Sequence, residues 1–319
     1  MWPRKPVVLN DKRRIDDIYR LSVSFLENRS DVCQRLAQHL WGFHEACDLI
    51  PQTESKFASG HYFPIAEAYS QVECAYELTL EGFYRQALST LRWVLELGLL
   101  QVFFSVDDRE EHDIQPWLTG SERTPARRKL FARLAELPSF VAFDREFGFG
   151  NRILETFDRL DAFAHTRGGA HSGFGLAGTN VVAFSEKALL LCVETLASVT
   201  RHVITALLLK YPIGLQPLPL DQKYGFFGPM GGWLQDHQVQ LLRSLLDPEE
   251  AEHLQQLSDE DVKTQELVRY IEDLPDLPRD EWERQSSKID RWMEASGQPR
   301  LTPEENSPGN PGTDSSRST

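Results

Sequence analysis

Apolar residues recur every three or four positions along most of the chain, which is the spacing of one face of an α-helix. The first example runs from residue 12 to about residue 50, where the polar segment 28–31 separates two such stretches. No alternation of apolar and polar residues is long enough to predict a half-buried strand. The pattern therefore predicts an all-α protein.

Further amphipathic stretches follow the same spacing. The segment 65–106 predicts one long helix or two stacked helices with a break at Gly82. A helix over 151–165 is expected to stop at the pair Gly168 and Gly169, because glycine often ends a helix. The most apolar helix is predicted over 185–211. It should end there because Pro212 cannot continue a helix.

The chain divides by composition into four regions. Residues 1–213 predict a helical bundle domain, and residues 214–236 predict a loop rich in glycine, proline and aromatic residues. Residues 237–296 predict an acidic helical appendage, because the stretch 236–294 holds 17 acidic and 7 basic residues in a chain of net charge −14. Residues 297–319 have too few apolar side chains to form a core and are predicted to be a disordered tail.

Composition also limits the compartment and the kinds of site. Four irregularly spaced cysteines, without a C-x-x-C pair, indicate reduced core thiols and give no zinc site or disulfide framework. The N-terminus has no apolar stretch of signal-peptide length, and two long apolar stretches carry internal charges typical of soluble core helices. We therefore expect a cytoplasmic protein that is not in a membrane and uses no metal or cofactor.

Basic and histidine residues concentrate around the end of the helix predicted over 151–165. Arg159 and His165 have the R-x(4–6)-H spacing of HEPN-type ribonucleases, in which arginine stabilises phosphate charge and histidine transfers a proton. His165 could instead cap the helix, with Asp161 one turn earlier accepting from it. His171 follows the glycines and could reach a ligand or be solvated. Asp161, His165 and His171 lack a fourth ligand and an established metal spacing.

Two other groups of charges stand out from the apolar pattern. Arg92 and Glu96 have i, i+4 spacing in an apolar helix, which fits either an ion pair at the edge of the core or a buried polar centre. A short basic helix carries Arg127 and Arg128, and it is either a solvated face or a phosphate-facing surface. RNA could bind through this basic helix.

These residues also carry a family resemblance. The stretch "EGFYRQALSTLRWVLELGLL", with Arg92 and Glu96, and the later "DRLDAFAH", with Asp161 and His165, resemble the two signature helices of an uncharacterised bacterial all-helical family. That family is similar to HEPN-like and abortive-infection helical proteins. The resemblance implies a possible role in phage defence or RNA cleavage, and it implies that Arg92, Glu96 and His165 meet in one polar cluster.

Two functions follow from this reading of the sequence. The first is a non-enzymatic protein-interaction or regulatory module, which binds a partner protein or self-associates through its bundle or its acidic helices. The second is a HEPN-like, metal-independent ribonuclease that acts in phage defence, with His165 and Arg159 as its catalytic residues. Arg92, Glu96, Asp161, His171, Arg127 and Arg128 are the predicted binding residues in either case.

Overall fold

A computed structural model describes most of the chain, and its regular elements are helices. The described residues are 12–50, 59–107, 114–179, 182–224 and 232–281, together with 283, 284, 287, 288 and 291. Within these residues no β-strand forms, so the all-α prediction is confirmed. The predicted disordered tail, 297–319, lies outside the described residues.

The helices are numbered in chain order. Those of the first half are α1 (Lys12–Glu27), α2 (Ser30–Cys47), α3 (Phe63–Leu80), α4 (Tyr84–Ser105), α5 (Gln115–Leu118), α6 (Arg127–Leu134) and α7 (Pro138–Phe147). Those of the second half are α8 (Phe149–Ala164), α9 (Gly173–Ala177), α10 (Glu186–Lys210), α11 (Leu220–Tyr224), α12 (Asp236–Ser244), α13 (Pro248–Glu260) and α14 (Val262–Asp273). Short 3₁₀ turns cover Gly169–His171 and Pro212–Leu215.

Helices α4 and α10 form the centre of the bundle. Helix α4 packs against α3, α8 and α10, and α10 packs against α2 as well. The two central helices approach closely at Gly98, where an added Cβ would lie 2.4 Å from a methyl group of Val203. This glycine therefore determines the helix spacing at that point.

The two central helices are also the most apolar. Both are long and apolar enough to cross a membrane by length and composition, but 61% and 72% of their apolar windows are buried inside the protein. Burial of this extent is typical of core helices. Helix α3 is separated from α4 by Gly82, whose φ of 81° ends the first helix. The stretch predicted as one or two helices is thus two.

The end of α8 differs from the prediction. The helix stops at Ala164, before the glycine pair, and His165 is its C-cap residue. Thr166 takes the left-handed conformation with φ 48°, and its N–H donates to Phe163 O while Arg167 N–H donates to Ala162 O. These two bonds form a Schellman motif, in which a glycine is usual and threonine is strained.

The acidic helices pack as part of the bundle unit. The described residues within 1–218 and 228–272 form one compact unit, in which α12 packs on α2 and α13 packs on α7 and on Pro212–Leu215. Pro248 begins α13 and separates it from α12, which ends at Ser244. In the second, smaller unit, Lys223 donates to Leu274 O at 2.7 Å and pairs with Asp276 at 2.9 Å.

Candidate functional site

Arg92, Glu96, Asp161 and Arg127 meet in one ion cluster between α4, α6 and α8. Arg92 Nε donates to Asp161 Oδ1 at 2.6 Å, and its terminal nitrogen donates to Glu96 Oε2 at 2.9 Å. Arg127 donates to the other oxygen of Asp161 and, at 3.0 Å, to Asp158 Oδ1. A single carboxylate thus joins guanidinium groups from two other helices.

The protonation state of Asp161 follows from its hydrogen bonds to the two arginines. Burial raises the pKa of Asp161, but the hydrogen bonds from Arg92 and Arg127 outweigh burial and hold that pKa below its ordinary value. The carboxyl group therefore stays ionised and acts only as an acceptor. Both oxygens of Asp161 accept hydrogen bonds from arginine. This geometry fits a structural ion pair that connects three helices better than it fits a general acid or base.

The two predicted histidines lie outside this cluster. The His165 side chain is exposed and makes no hydrogen bond or ion pair with another described residue, although its backbone N–H donates to Asp161 O at 3.0 Å. The expected contact of His165 with Arg92 and Glu96 does not form, and Asp161 takes its place. His171 packs edge-on against Phe163, with 4.9 Å between ring centroids, and its Nδ1 lies 2.6 Å from Arg167 O.

The two arginines singled out on the basic helix α6 have different surroundings. Arg127 is directed into the ion cluster and lies over the ring of Phe157, with 4.7 Å to the ring centroid. Arg128 is exposed and makes no ion pair or hydrogen bond with another described side chain. The helix therefore offers a smaller cationic surface than its sequence indicates.

Arg159 belongs to a different place, an open cavity of about 470 Å³ between α2, α8 and α10. We call it the arginine groove, and it is lined by Arg35, Arg152, Glu155, Thr156, Arg159, Glu194, Ala197, Ser198, Arg201 and His202. His165 is not among these residues, so the structure does not bring Arg159 and His165 into one site.

Two of the four arginines of the groove pair with carboxylates at the start of α13, one in its first turn and one at its N-cap. Arg152 pairs at 2.5 Å with Glu250, which is 5% exposed, and Arg201 pairs at 3.3 Å with Asp247, which is 56% exposed. The Nε atoms of both arginines are buried and have no acceptor among the described residues. Arg35 and Arg159 form no ion pair or hydrogen bond with another described side chain, although Glu155 and Glu194 line the same groove.

Two buried histidines lie beside the groove. Thr156 donates its hydroxyl to Arg152 O at 2.9 Å, so it accepts from His202 Nε2 at 3.1 Å. Burial, with the charges of Arg152, Arg201 and Arg159 added, lowers the pKa of His202 to about 3. In the same way burial, with the charges of Arg201 and Arg35 added, lowers the pKa of His39 to about 4. All four groove arginines therefore contribute to a positive potential around two neutral imidazoles.

Metal binding is not supported in the described part of the chain. Among these residues, no three His, Cys, Asp or Glu side chains lie close enough to hold a metal ion. Comparison with protein-family models, with curated proteins and with solved structures finds no match to this chain. The resemblance to HEPN-like families rests on the residues quoted above.

Most of the arginine groove was not predicted from the sequence. Arg35, Arg152 and Arg201 lie on three helices that are far apart in the chain, and only Arg159 was singled out. One signal was available. Arg201 and His202 interrupt the most apolar helix, and such an interruption often indicates a polar site on a core helix.

Proposed function

We propose that the protein is a non-enzymatic helical-bundle module that acts by binding, and that the arginine groove recognises a negatively charged partner or ligand. The observation that carries this proposal is the set of four guanidinium groups around one open cavity, in a protein whose net charge is −14. Their donors are in excess within the described part of the chain, where two side chains have no partner and two others have a buried Nε without an acceptor. An anion would supply the missing acceptors.

The glutamates of the groove do not remove this excess. Neither Glu155 nor Glu194 forms an ion pair with an arginine of the groove, and both side chains are exposed. The two carboxylates leave the guanidinium donors open, because neither accepts a hydrogen bond from them, and a ligand that enters the groove contacts these donors directly. They restrict which anions fit, because a bulky polyanion would also meet their charge.

The test is whether anions stabilise the folded protein through these arginines. Thermal unfolding of the full chain is measured at low salt with citrate and with pyrophosphate. At about 100 times its dissociation constant, a bound anion should add about 2.7 kcal/mol to the free energy of unfolding. The double variant Arg35→Ala/Arg159→Ala should lose this gain, and the control Arg20→Ala, an exposed arginine on α1, should keep it. An equal gain in all three proteins, or none in any, contradicts the proposal.

The second candidate is the HEPN-like ribonuclease of phage defence. One observation favours it, since Arg159 lines a groove whose cations suit phosphate. The exposed position of His165 outside the groove disfavours it. Metal-free RNA cleavage that is lost in both Arg159→Ala and His165→Ala, at unchanged melting temperature, would establish the ribonuclease and overturn the binding module. We expect no cleavage.

A further inference from the structure

The arginines of the groove differ in how firmly the protein already holds them. Arg152 is anchored, because its partner Glu250 is buried and the contact is only 2.5 Å. Arg201 is held weakly, because Asp247 is more than half exposed and its oxygens lie 3.3 and 3.4 Å from the guanidinium group. Arg35 and Arg159 pair with no other described side chain, so three guanidinium groups are available to a ligand.

These three groups come from three different helices. Arg35 lies on α2, Arg159 on α8 and Arg201 on α10, so they converge on the groove from separate walls. A carboxylate is planar and carries one charge, and one bidentate arginine is enough to match it. A phosphoryl group presents three oxygens in a pyramidal arrangement, which suits donors that approach from several sides.

The guanidinium groups and the volume of the groove limit the class of ligand further. Three guanidinium groups offer more N–H donors than the three oxygens of one phosphoryl group can accept, and a diphosphate supplies more acceptor oxygens. The groove volume of about 470 Å³ lies within the roughly 300–1,000 Å³ typical of small-molecule sites. Space of this size accommodates an organic substituent beside the phosphoryl groups.

We infer, on the premise of the proposed function, that the arginine groove binds the diphosphate group of a small molecule through Arg35, Arg159 and Arg201. Arg152 stays paired with Glu250 and adds its positive charge to the groove. Asp247 is then an internal competitor, because it occupies Arg201 when the ligand is absent. The ligand class is that of nucleoside diphosphates and other organic diphosphates, with pyrophosphate as their simplest member.

Calorimetric titration of the full chain at low salt tests the ligand class. The probes are inorganic pyrophosphate, inorganic phosphate and citrate, the last as a carboxylate of comparable charge. Pyrophosphate should bind at least tenfold more tightly than either of the others. Arg35→Ala and Arg159→Ala should each weaken pyrophosphate binding at least tenfold, while Arg20→Ala leaves it unchanged.

Two carboxylate variants should change the affinity in the direction opposite to the arginine variants. Asp247→Asn should tighten pyrophosphate binding several-fold, since it releases Arg201, and Glu194→Gln should also tighten it. Both residues are exposed, so neither variant should unfold the protein, and a thermal melt of each variant checks this. Unchanged or weaker binding by folded Asp247→Asn overturns the role of Asp247 as a competitor.

The outcomes separate the ligand class from the proposed function. Citrate binding as tight as pyrophosphate binding, with the same dependence on Arg35 and Arg159, overturns the diphosphate inference and leaves the anion-binding module intact. The absence of binding by every probe overturns both. Single-stranded RNA is a further probe. If RNA binds more tightly than pyrophosphate, and if Arg159→Ala weakens RNA binding, the ligand is a nucleic acid and the small-molecule class is overturned.

Discussion

Lowering the pH from about 7.5 to about 5 should destabilise the fold through His39 and His202. Both side chains are buried, at 3% and 7% exposure, and their pKa values are lowered from 6.5 to about 4 and about 3. In the unfolded chain each imidazole takes up a proton below pH 6.5, whereas in the folded protein each stays neutral until its lowered pKa is reached. The unfolded state binds more protons in this window, so the free energy of unfolding falls as the pH falls.

The magnitude follows from the distance between the pH and the unfolded pKa. Each pH unit below 6.5 costs about 1.4 kcal/mol for each histidine, until the pKa of the folded protein is reached. At pH 5 the loss is therefore about 2 kcal/mol for each residue and about 4 kcal/mol for both, against a typical total stability of about 5–15 kcal/mol. Asp48 acts in the opposite direction, because burial and the charge of Glu45 raise its pKa to about 6.

The assay is urea unfolding of matched variants at both pH values. His202→Gln keeps a donor for Thr156, and His39→Asn keeps a donor for Thr200, which lies 3.0 Å from His39 Nδ1. Each variant should lose about 2 kcal/mol less than the unaltered protein between pH 7.5 and pH 5. The control His165→Gln, at an exposed position, should lose as much as the unaltered protein.

This comparison removes the contribution of Asp48, which is present in every protein tested. The reasoning is refuted if His202→Gln and His39→Asn show the same loss in acid as the unaltered protein. In that case the two imidazoles are charged in the folded state or are already neutral in the unfolded chain, and burial does not control their protonation.

Three further substitutions and one control test the helix packing, the end of α8 and the ion cluster. Gly98→Ala should cost about 1–3 kcal/mol in urea unfolding because its methyl group would meet Val203, while Gly169→Ala, with nothing within 4 Å, should change stability by less than about 0.5 kcal/mol. Thr166→Gly should stabilise by about 1 kcal/mol by relieving a threonine at φ 48°, and a lowered melting temperature would count against this strain. Asp161→Asn should cost about 1–3 kcal/mol, since two arginines lose their shared charge, and an unchanged urea midpoint would contradict it.

Helical periodicity alone determined the fold class and most of the helices. An amphipathic helix is a local pattern, because residues three and four positions apart share a face whatever the rest of the chain does. The ends were less predictable. Helix α8 ends at Ala164, and the left-handed residue that terminates it is the strained Thr166 and not one of the two glycines.

The ion cluster was predictable only where it is local. Arg92 and Glu96 are joined by i, i+4 spacing on one helix, and the sequence indicates this pair directly. The bonds of Asp161 to Arg92 and Arg127 span 69 and 34 residues, and spacing along one helix cannot predict them. His165 was predicted from the sequence as a catalytic residue. Its side chain is exposed to solvent, because the Schellman turn ends helix α8 there.

The arginine groove was decided by tertiary structure alone. Arg35 and Arg159 each look like an ordinary charge on the outer face of a helix, Arg201 interrupts an apolar helix, and nothing in the local pattern relates one to another. They meet because α2, α8 and α10 converge around one cavity. The sequence determined which residues carry charge and which faces are apolar, whereas the packing of those apolar faces decided which charges meet, because helix packing depends on contacts between residues distant in the chain.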